Sequence, residues 1–545
     1  MQWQLNNQNG RNDFVTTKSW HVHYPESFDT DIPAIDFSIP HMLQQTASGY
    51  PEHPCISFYQ KRMTYRELQD AVTMFFSSLQ HIGTKKGDRV AIMLPNCPQY
   101  VISYYGILAT GGIVTQVNPM SVERELIHLL NDSGAETIIV FDRFYPIIQS
   151  IQKETKVKTI IVVSFQGEDH ETDYTFDEFL KLGDGRVSPI SIDPEDVAVL
   201  QYTGGTTGVS KGVMLTHSNI LSNVMQSQRF FKESIQTGEE RSLSVIPFFH
   251  VFGMNSCMNL SIYTANEMIL LPRFELSEVL STIKREKPTL FPGVPTMYVA
   301  ITNHPSAEDY GIHSIKLCNS GSAPMPVELL NQFEKKTGAK ILEGYGLSEA
   351  SPTTHCNPAF AERKPGTVGI GLPSTDYKVV DIATGMKEVP PGDIGELIIK
   401  GPQVMKGYWN LPEETANALR DGWLYTGDIA RMDDEGYVSI VDRKKDMIIA
   451  SGYNVYPREV EEVIYEHPSV QEAVVIGVPD SYRGETVKAV IVLKAGEKVS
   501  EQELMGFCQE NMSSFKVPRI IEFRDELPKT SVGKILRRAL RENVI

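Results

Sequence analysis

Short, almost unbroken apolar runs recur along this chain, at residues 90–94, 137–140, 159–164, 197–200 and 268–271. A strand covered on both faces reads this way, because neither face meets water. Segments with helical spacing lie between these runs. That alternation predicts an α/β fold of layered sheets and helices, with ligands at the loops beyond strand ends. The clearest helix runs from Thr64 to Gly83. Thr64 and Glu67 form a capping box and Gly83 supplies the stop. Leu68, Val72, Phe75, Phe76, Leu79 and Ile82 fall on one face, which is core. A buried helix is predicted near 100–109, between strands at 90–94 and 113–117.

The run at 197–200 leads into Gln-Tyr-Thr-Gly-Gly-Thr-Thr-Gly-Val-Ser-Lys-Gly-Val at 201–213. Thr216, His217, Ser218 and Asn219 follow, a cluster of helix-capping types. The stretch therefore reads as a loop leaving a strand and leading to a helix. Gly204, Gly205 and Gly208 let the backbone turn and present N–H groups to a ligand. Thr203, Thr206, Thr207 and Ser210 add hydroxyls, and Lys211 adds a positive charge. Donors and a cation without a carboxylate suit a polyphosphate. The Walker pattern is absent, since Lys211 is followed by Gly212 and not by Ser or Thr. The plainer alternative is a flexible polar surface loop.

The chain has 545 residues, 41% hydrophobic and 22% charged, room for several domains. A net charge of −17 argues against a general nucleic-acid binder, which needs a basic face. The six cysteines are scattered without a Cys-x-x-Cys pair, as reduced thiols are, and disfavour disulfides or zinc. His21 and His23 stand in a polar N-terminal extension and make a poor metal site. No basic-then-apolar leader opens the chain. The uncharged stretch 90–122 is broken by Pro95, Pro98 and several glycines, so no membrane span is expected.

Further along, His250 lies between aromatics and Gly253, and reads equally as a core histidine or a site residue. Gly321, Ser322, Ala323 and Pro324 make either a flat slot for a planar ring or a turn. Glu343, Gly344, Tyr345, Gly346, Ser348 and Glu349 crowd an aromatic ring, glycines, a hydroxyl and carboxylates together. Glu349 could hold Mg²⁺, a hard cation that takes oxygen ligands, and Tyr345 could stack on a base. Asp428 could accept from ribose hydroxyls. Five charges at 442–446 form either a solvated face or a hinge. From about Met447 onward there is enough chain for a small α+β domain. Its helix is expected at 457–467 and its strands at 473–478 and 487–493. Lys534 follows a glycine in a turn-rich stretch, where a side chain can be presented at a tip.

In this order, the stretches 203–211, 247–253, 345–349, 425–428, 442–457 and 528–534 resemble the adenylate-forming (ANL) superfamily of acyl-CoA synthetases. The resemblance covers about 47–538. Within the superfamily the chain looks most like the bacterial long-chain fatty-acid–CoA ligases. The block 421–445 is similar to the signature of that branch. Gly204 stands where many members carry serine, a form familiar from the long-chain branch.

The resemblance implies a large N-terminal domain (1–441), a hinge (442–446) and a small mobile C-terminal α+β domain (447–545). It implies ATP, Mg²⁺ and coenzyme A. Thr203–Lys211 would hold the β- and γ-phosphates, with Mg²⁺ on Glu349 and Thr206. Gly321–Pro324 and Tyr345 would enclose adenine, while Asp428 and Arg443 fix the ribose. Lys534 would contact the α-phosphate, and Lys445 would be the pivot. Ser451 and Gly452 would reach the pantetheine channel, with His250 at the acyl carboxylate. The implied partners are small molecules, in the cytoplasm, with no nucleic acid. Peripheral membrane association and a homodimer are left open. The alternatives are a ligase for medium-chain or aryl acids, an acyl-AMP ligase loading a carrier protein, and a binding regulator without chemistry.

Overall fold

The computed structural model describes residues 18–166, 172–203, 210–450, 453–480, 484–530 and 535–541. Four of the five apolar runs, those at 90–94, 137–140, 159–164 and 197–200, become the middle of an eight-stranded sheet. Its order is Gly407–Tyr408, Lys211–Thr216, Val197–Thr203, Ile113–Gln116, Arg89–Met93, Thr137–Phe141, Thr159–Val163 and Tyr174–Thr175. From Val197–Thr203 to the last strand every pairing is parallel. The first two strands run antiparallel to their neighbours.

That edge departs from the strand–loop–helix reading of the glycine-rich stretch. Lys211–Thr216 is a strand, pairing Thr203 with Lys211 and Val197 with Thr216, so the glycines join two hairpin strands. The strand was hidden by its glycine and lysine at one end and by capping residues at the other. The helix His217–Phe230 does begin where expected, with Thr216 accepting from the Asn219 amide. The run at 268–271 belongs elsewhere. Glu267–Leu270 sits in a second sheet between Arg241–Ser244 and Pro54–Phe58.

Helix Pro98–Ala109 packs against the parallel sheet, and helix Tyr65–His81 packs against that helix, as their sequences direct. Thr64 caps Tyr65–His81, with the Glu67 amide donating to its hydroxyl and the Glu67 carboxylate accepting from its amide. Helix Pro98–Ala109 is buried from Tyr100 to Leu108. A Cβ on its Gly106 would come 2.6 Å from Phe75 Cδ1, so the glycine sets how closely the two helices approach. No helix among the described residues is long and apolar enough to cross a membrane.

Two more sheets carry the residues of interest. One orders Leu317–Ser320, Lys340–Gly346, Thr353–Cys356 and Ile370–Gly371; the other orders Asp376–Val380, Gly395–Lys400, Trp423–Met432 and Leu419–Arg420, with Val438–Arg443 also on Trp423–Met432. From Ile448 the chain builds a separate sheet around Val470–Asp480 and Gly484–Leu493. Ala473 and Val475 face a core closed by helices Pro457–Tyr465 and Glu501–Asn511. Val474, Ile476 and Val478 face the opposite way, onto Leu527 and Leu540. Strand alternation thus gives this small sheet two buried faces.

Candidate active site

Strand Lys340–Gly346 and the 3-10 turn Ser348–Ala350 after it carry six of the expected residues. Glu343 is buried at 1% exposure. Its Oε1 accepts from the Met325 amide at 3.1 Å, which pins the end of the loop Gly321–Pro324. Gly344 lies against Asn319, where a Cβ would come 3.3 Å from Oδ1. Tyr345 donates its hydroxyl to Asp428 Oδ2 at 2.5 Å. Burial, and then the Asp428 carboxylate, hold the Tyr345 phenol far above its usual pKa, so it stays a donor. Asp428 pairs directly across strands with Arg443, and Arg443 Nε lies 3.4 Å from Asp428 Oδ1. The structure thus brings Tyr345, Asp428 and Arg443 together. Tyr345 meets the acid edge-on through its hydroxyl, a contact the sequence did not suggest.

Glu349 stands at the other end of the same segment. Its Oε1 accepts from the Tyr408 hydroxyl at 2.9 Å. Lys211 Nζ lies 5.2 Å from the centre of the Tyr408 ring and pairs with Glu414 at 2.5 Å. Strand Gly407–Tyr408 lies on the Lys211–Thr216 edge, placing Tyr408 opposite Val213. Tyr408 therefore joins Lys211 to Glu349, and Glu414 pairs with the same lysine. Neither Tyr408 nor Glu414 was singled out from sequence. An aromatic after Gly407 was the only signal, and chain distance hid the contact. The donor set fits Mg²⁺: a single half-buried carboxylate leaves most of the shell to phosphate and water, as this ion prefers. Thr206 lies outside the described residues.

His250 lies in a turn held by buried side chains. Asn96 Nδ2 donates to the Ser244 and Ile246 carbonyls, and its Oδ1 accepts from the Phe248 amide. Gln201 Nε2 donates to the Phe249 carbonyl at 3.0 Å, tying this turn to the base of the glycine loop. His250 Nδ1 accepts from the Phe252 amide. The π-helix Phe252–Asn259 follows, a distortion frequent at functional sites. Gly253 is required at its start, because a Cβ would come 2.2 Å from the Pro247 oxygen.

The charged stretch 442–446 divides by burial. Asp442 and Asp446 are buried, while Lys444 and Lys445 face outward. Asp442 Oδ2 accepts from the Arg458 amide, and Asp446 pairs with Arg541 at 3.0 Å. Lys444 Nζ reaches Glu396 at 2.9 Å. Arg458 also donates to the Ile440 carbonyl and lies 4.0 Å from Glu343. Sequence reading passed over Arg458. Gly204, Gly205, Thr206, Thr207, Gly208, Ser451, Gly452 and Lys534 lie outside the described residues.

The fold and these clusters define a two-part α/β enzyme, with an acid–arginine pair at one end of residues 340–349 and a lone carboxylate at the other. Residues 43–409 match the AMP-binding enzyme family and residues 459–534 match the AMP-binding enzyme C-terminal domain, and the chain belongs to that family. It is 48% identical to a long-chain-fatty-acid–CoA ligase of Bacillus subtilis, over 96% of this chain and 98% of that protein. It is 39% identical to one of Escherichia coli, with the same coverage. Among solved structures, ATP-bound MatB from Rhodopseudomonas palustris superposes with a TM-score of 0.86 at 31% identity, over 93% of this chain and 99% of that one.

Proposed function

We infer that this chain activates a long-chain fatty acid with ATP and transfers the acyl group to coenzyme A. What supports the reading is one segment, residues 340–349. It sets Tyr345 with the Asp428–Arg443 pair at one end and Glu349 near Lys211 at the other. The chain around that segment resembles long-chain ligases over nearly its whole length.

A carboxylate is a poor electrophile, so the acid is first activated. Its oxygen attacks the α-phosphorus of ATP, and pyrophosphate leaves. Charge gathers on phosphate oxygens, and fixed donors aimed there lower the barrier. Thr203, Lys211 and the intervening glycine loop hold the β- and γ-phosphates. Lys211 exchanges Glu414 for phosphate. Glu349 and Thr206 would hold Mg²⁺, which would neutralise phosphate charge. Asp428 and Arg443 grip the ribose, and residues 321–324 with Tyr345 bound the adenine. Lys534 reaches the α-phosphate.

The coenzyme A sulfur then attacks the acyl carbon, and AMP leaves. Rotation of the small domain at Lys445 withdraws Lys534 and brings residues 450–452 to the thiol path. His250 lines the carboxylate end and excludes water. The acyl chain runs inward past Gly321. The inner end of that path is proposed at a cavity of about 40 Å³ walled by Phe231, Ser256, Leu260, Leu290 and Asn319. It holds little more than a water or two, so its walls would have to part to admit a chain.

The test is direct. Purified protein is given ATP, magnesium, coenzyme A and acids from acetate to oleate, with coumarate included. AMP and thioester should appear together and peak on long chains. A peak on coumarate would move the protein to aryl acids, and absence of AMP with every acid would remove the reading.

A further inference from the structure

The match to the family's main model begins at residue 43, yet the chain before it is fastened beside the nucleotide site. The 3-10 turn Ser19–His23 buries Trp20 at 7% exposure. Its ring stacks on Tyr377 at 3.9 Å between centroids and 28° between planes. Tyr377 meets His355 edge to face at 4.4 Å. His355 is the direct cross-strand partner of Tyr345, with ring centroids 6.0 Å apart. Tyr345 then donates to Asp428. Four rings thus form one column from the N-terminal segment to the nucleotide site.

Both ends of the column are fixed. Lys18 pairs with Asp376, next to Tyr377 in sequence. The Tyr377 hydroxyl donates to the Gly436 carbonyl at 2.8 Å. Gly436 lies so close to Trp20 that a Cβ there would come 2.8 Å from the Trp20 Cβ. In the middle, His355 is fully buried; its Nδ1 lies 2.9 Å from the Thr354 hydroxyl, and its Nε2 has no hydrogen-bond partner among the described residues. Besides that one polar contact, the ring supplies a flat face between two tyrosines. Close-packed groups pass displacement along rather than absorbing it, and small errors in substrate placement are costly.

We propose that Trp20 is a positioning residue for the nucleotide, setting the plane of Tyr345 through Tyr377 and His355. The proposal rests on Tyr345 belonging to the nucleotide site. Full-length Trp20→Leu, Trp20→Phe and Tyr345→Ala are compared by KM for ATP, fatty acid and coenzyme A, and by ATP affinity in calorimetry. Trp20→Leu should raise the ATP values about five- to tenfold, the size of coupling seen through shared packing. Acid and coenzyme A values should stay within about twofold, and Trp20→Phe should restore ATP binding. A folded Trp20→Leu protein with unchanged ATP affinity, or with all three KM values moved alike, overturns the proposal. If Tyr345→Ala leaves ATP binding unchanged, the nucleotide-site reading fails and takes this inference with it. If Tyr345→Ala weakens ATP and Trp20→Leu does not, only the column is lost. Should Trp20→Leu not fold, His355→Leu is read by the same criteria.

Discussion

Glu343 keeps one carboxylate oxygen on the Met325 amide and the other unpaired, inside the large domain. Burial pushes its carboxyl up to about 7, against the pull of Arg458. An unfolded glutamate loses its proton near about 4.3. Between these values the folded state holds the extra proton, so this residue's contribution to stability falls as pH rises and levels off above about 7. Glu343→Gln keeps an acceptor for Met325 and carries no charge. Its melting temperature should pull ahead of the parent from pH 5 to 7 and then hold a constant lead. A lead that does not change across that range would show that Glu343 is ionised throughout. The sequence placed Glu343 among nucleotide contacts because it neighbours Tyr345. Its role in holding the loop 321–324 depends on burial, which the local residue pattern does not carry.

At the level of elements, the turn after strand Lys340–Gly346 depends on glycine. A Cβ on Gly346 would come 2.1 Å from the Pro352 carbonyl oxygen, and backbone cannot swing aside as a side chain can. Gly346→Ala should displace the turn bearing Glu349 and lower acyl-CoA formation at least about a hundredfold. Circular dichroism should still report a folded protein. The π-helix makes a second test. Ser256 lines the small cavity beside Asn319, and if the proposed acyl path ends there, Ser256→Phe should block its inner end. Each lost methylene contact is worth about 0.8 kcal/mol, so activity should shift toward shorter acids across the panel. An unchanged chain-length profile would place the acyl path elsewhere. Elements with strong local signals were legible, as helix Tyr65–His81 and the apolar strands show. Strand Lys211–Thr216 was not, because its pairing with Val197–Thr203 and Gly407–Tyr408 gives it an identity that its own residues lack. Tyr408, Glu414 and Asn96 were missed for the same reason: their partners lie 59, 203 and more than a hundred residues away.

Across the whole molecule, the proposed scheme asks the small domain to take a different pose in each of the two chemical steps. Lys534→Ala should cripple pyrophosphate exchange yet spare thioester formation from supplied acyl-adenylate; equal loss in both would contradict the two-pose scheme. Arg458 offers a sharper test, because it joins the two parts. Its helix belongs to the small domain, while its side chain reaches the Ile440 carbonyl and lies 4.0 Å from Glu343 in the large one. Removing one partner from a buried pair leaves the other charge uncompensated. Arg458→Gln should therefore weaken the pose described here relative to any pose in which the pair is apart. A change of about 1.4 kcal/mol between poses is tenfold in their ratio, so the two half-reactions should diverge rather than fall together. The charge on Glu343 sets when this happens. Below about 7 its carboxyl is protonated, Arg458 faces a neutral group there and keeps its contact to the Ile440 carbonyl, and the substitution should matter less. Above that pH the carboxylate forms and the pair attracts, so the divergence should grow as pH rises from 6 to 8. Measuring both half-reactions at those two pH values decides it. Equal slowing at both would make Arg458 a packing residue, and divergence only at the higher pH would make the Glu343–Arg458 pair a latch on the small domain.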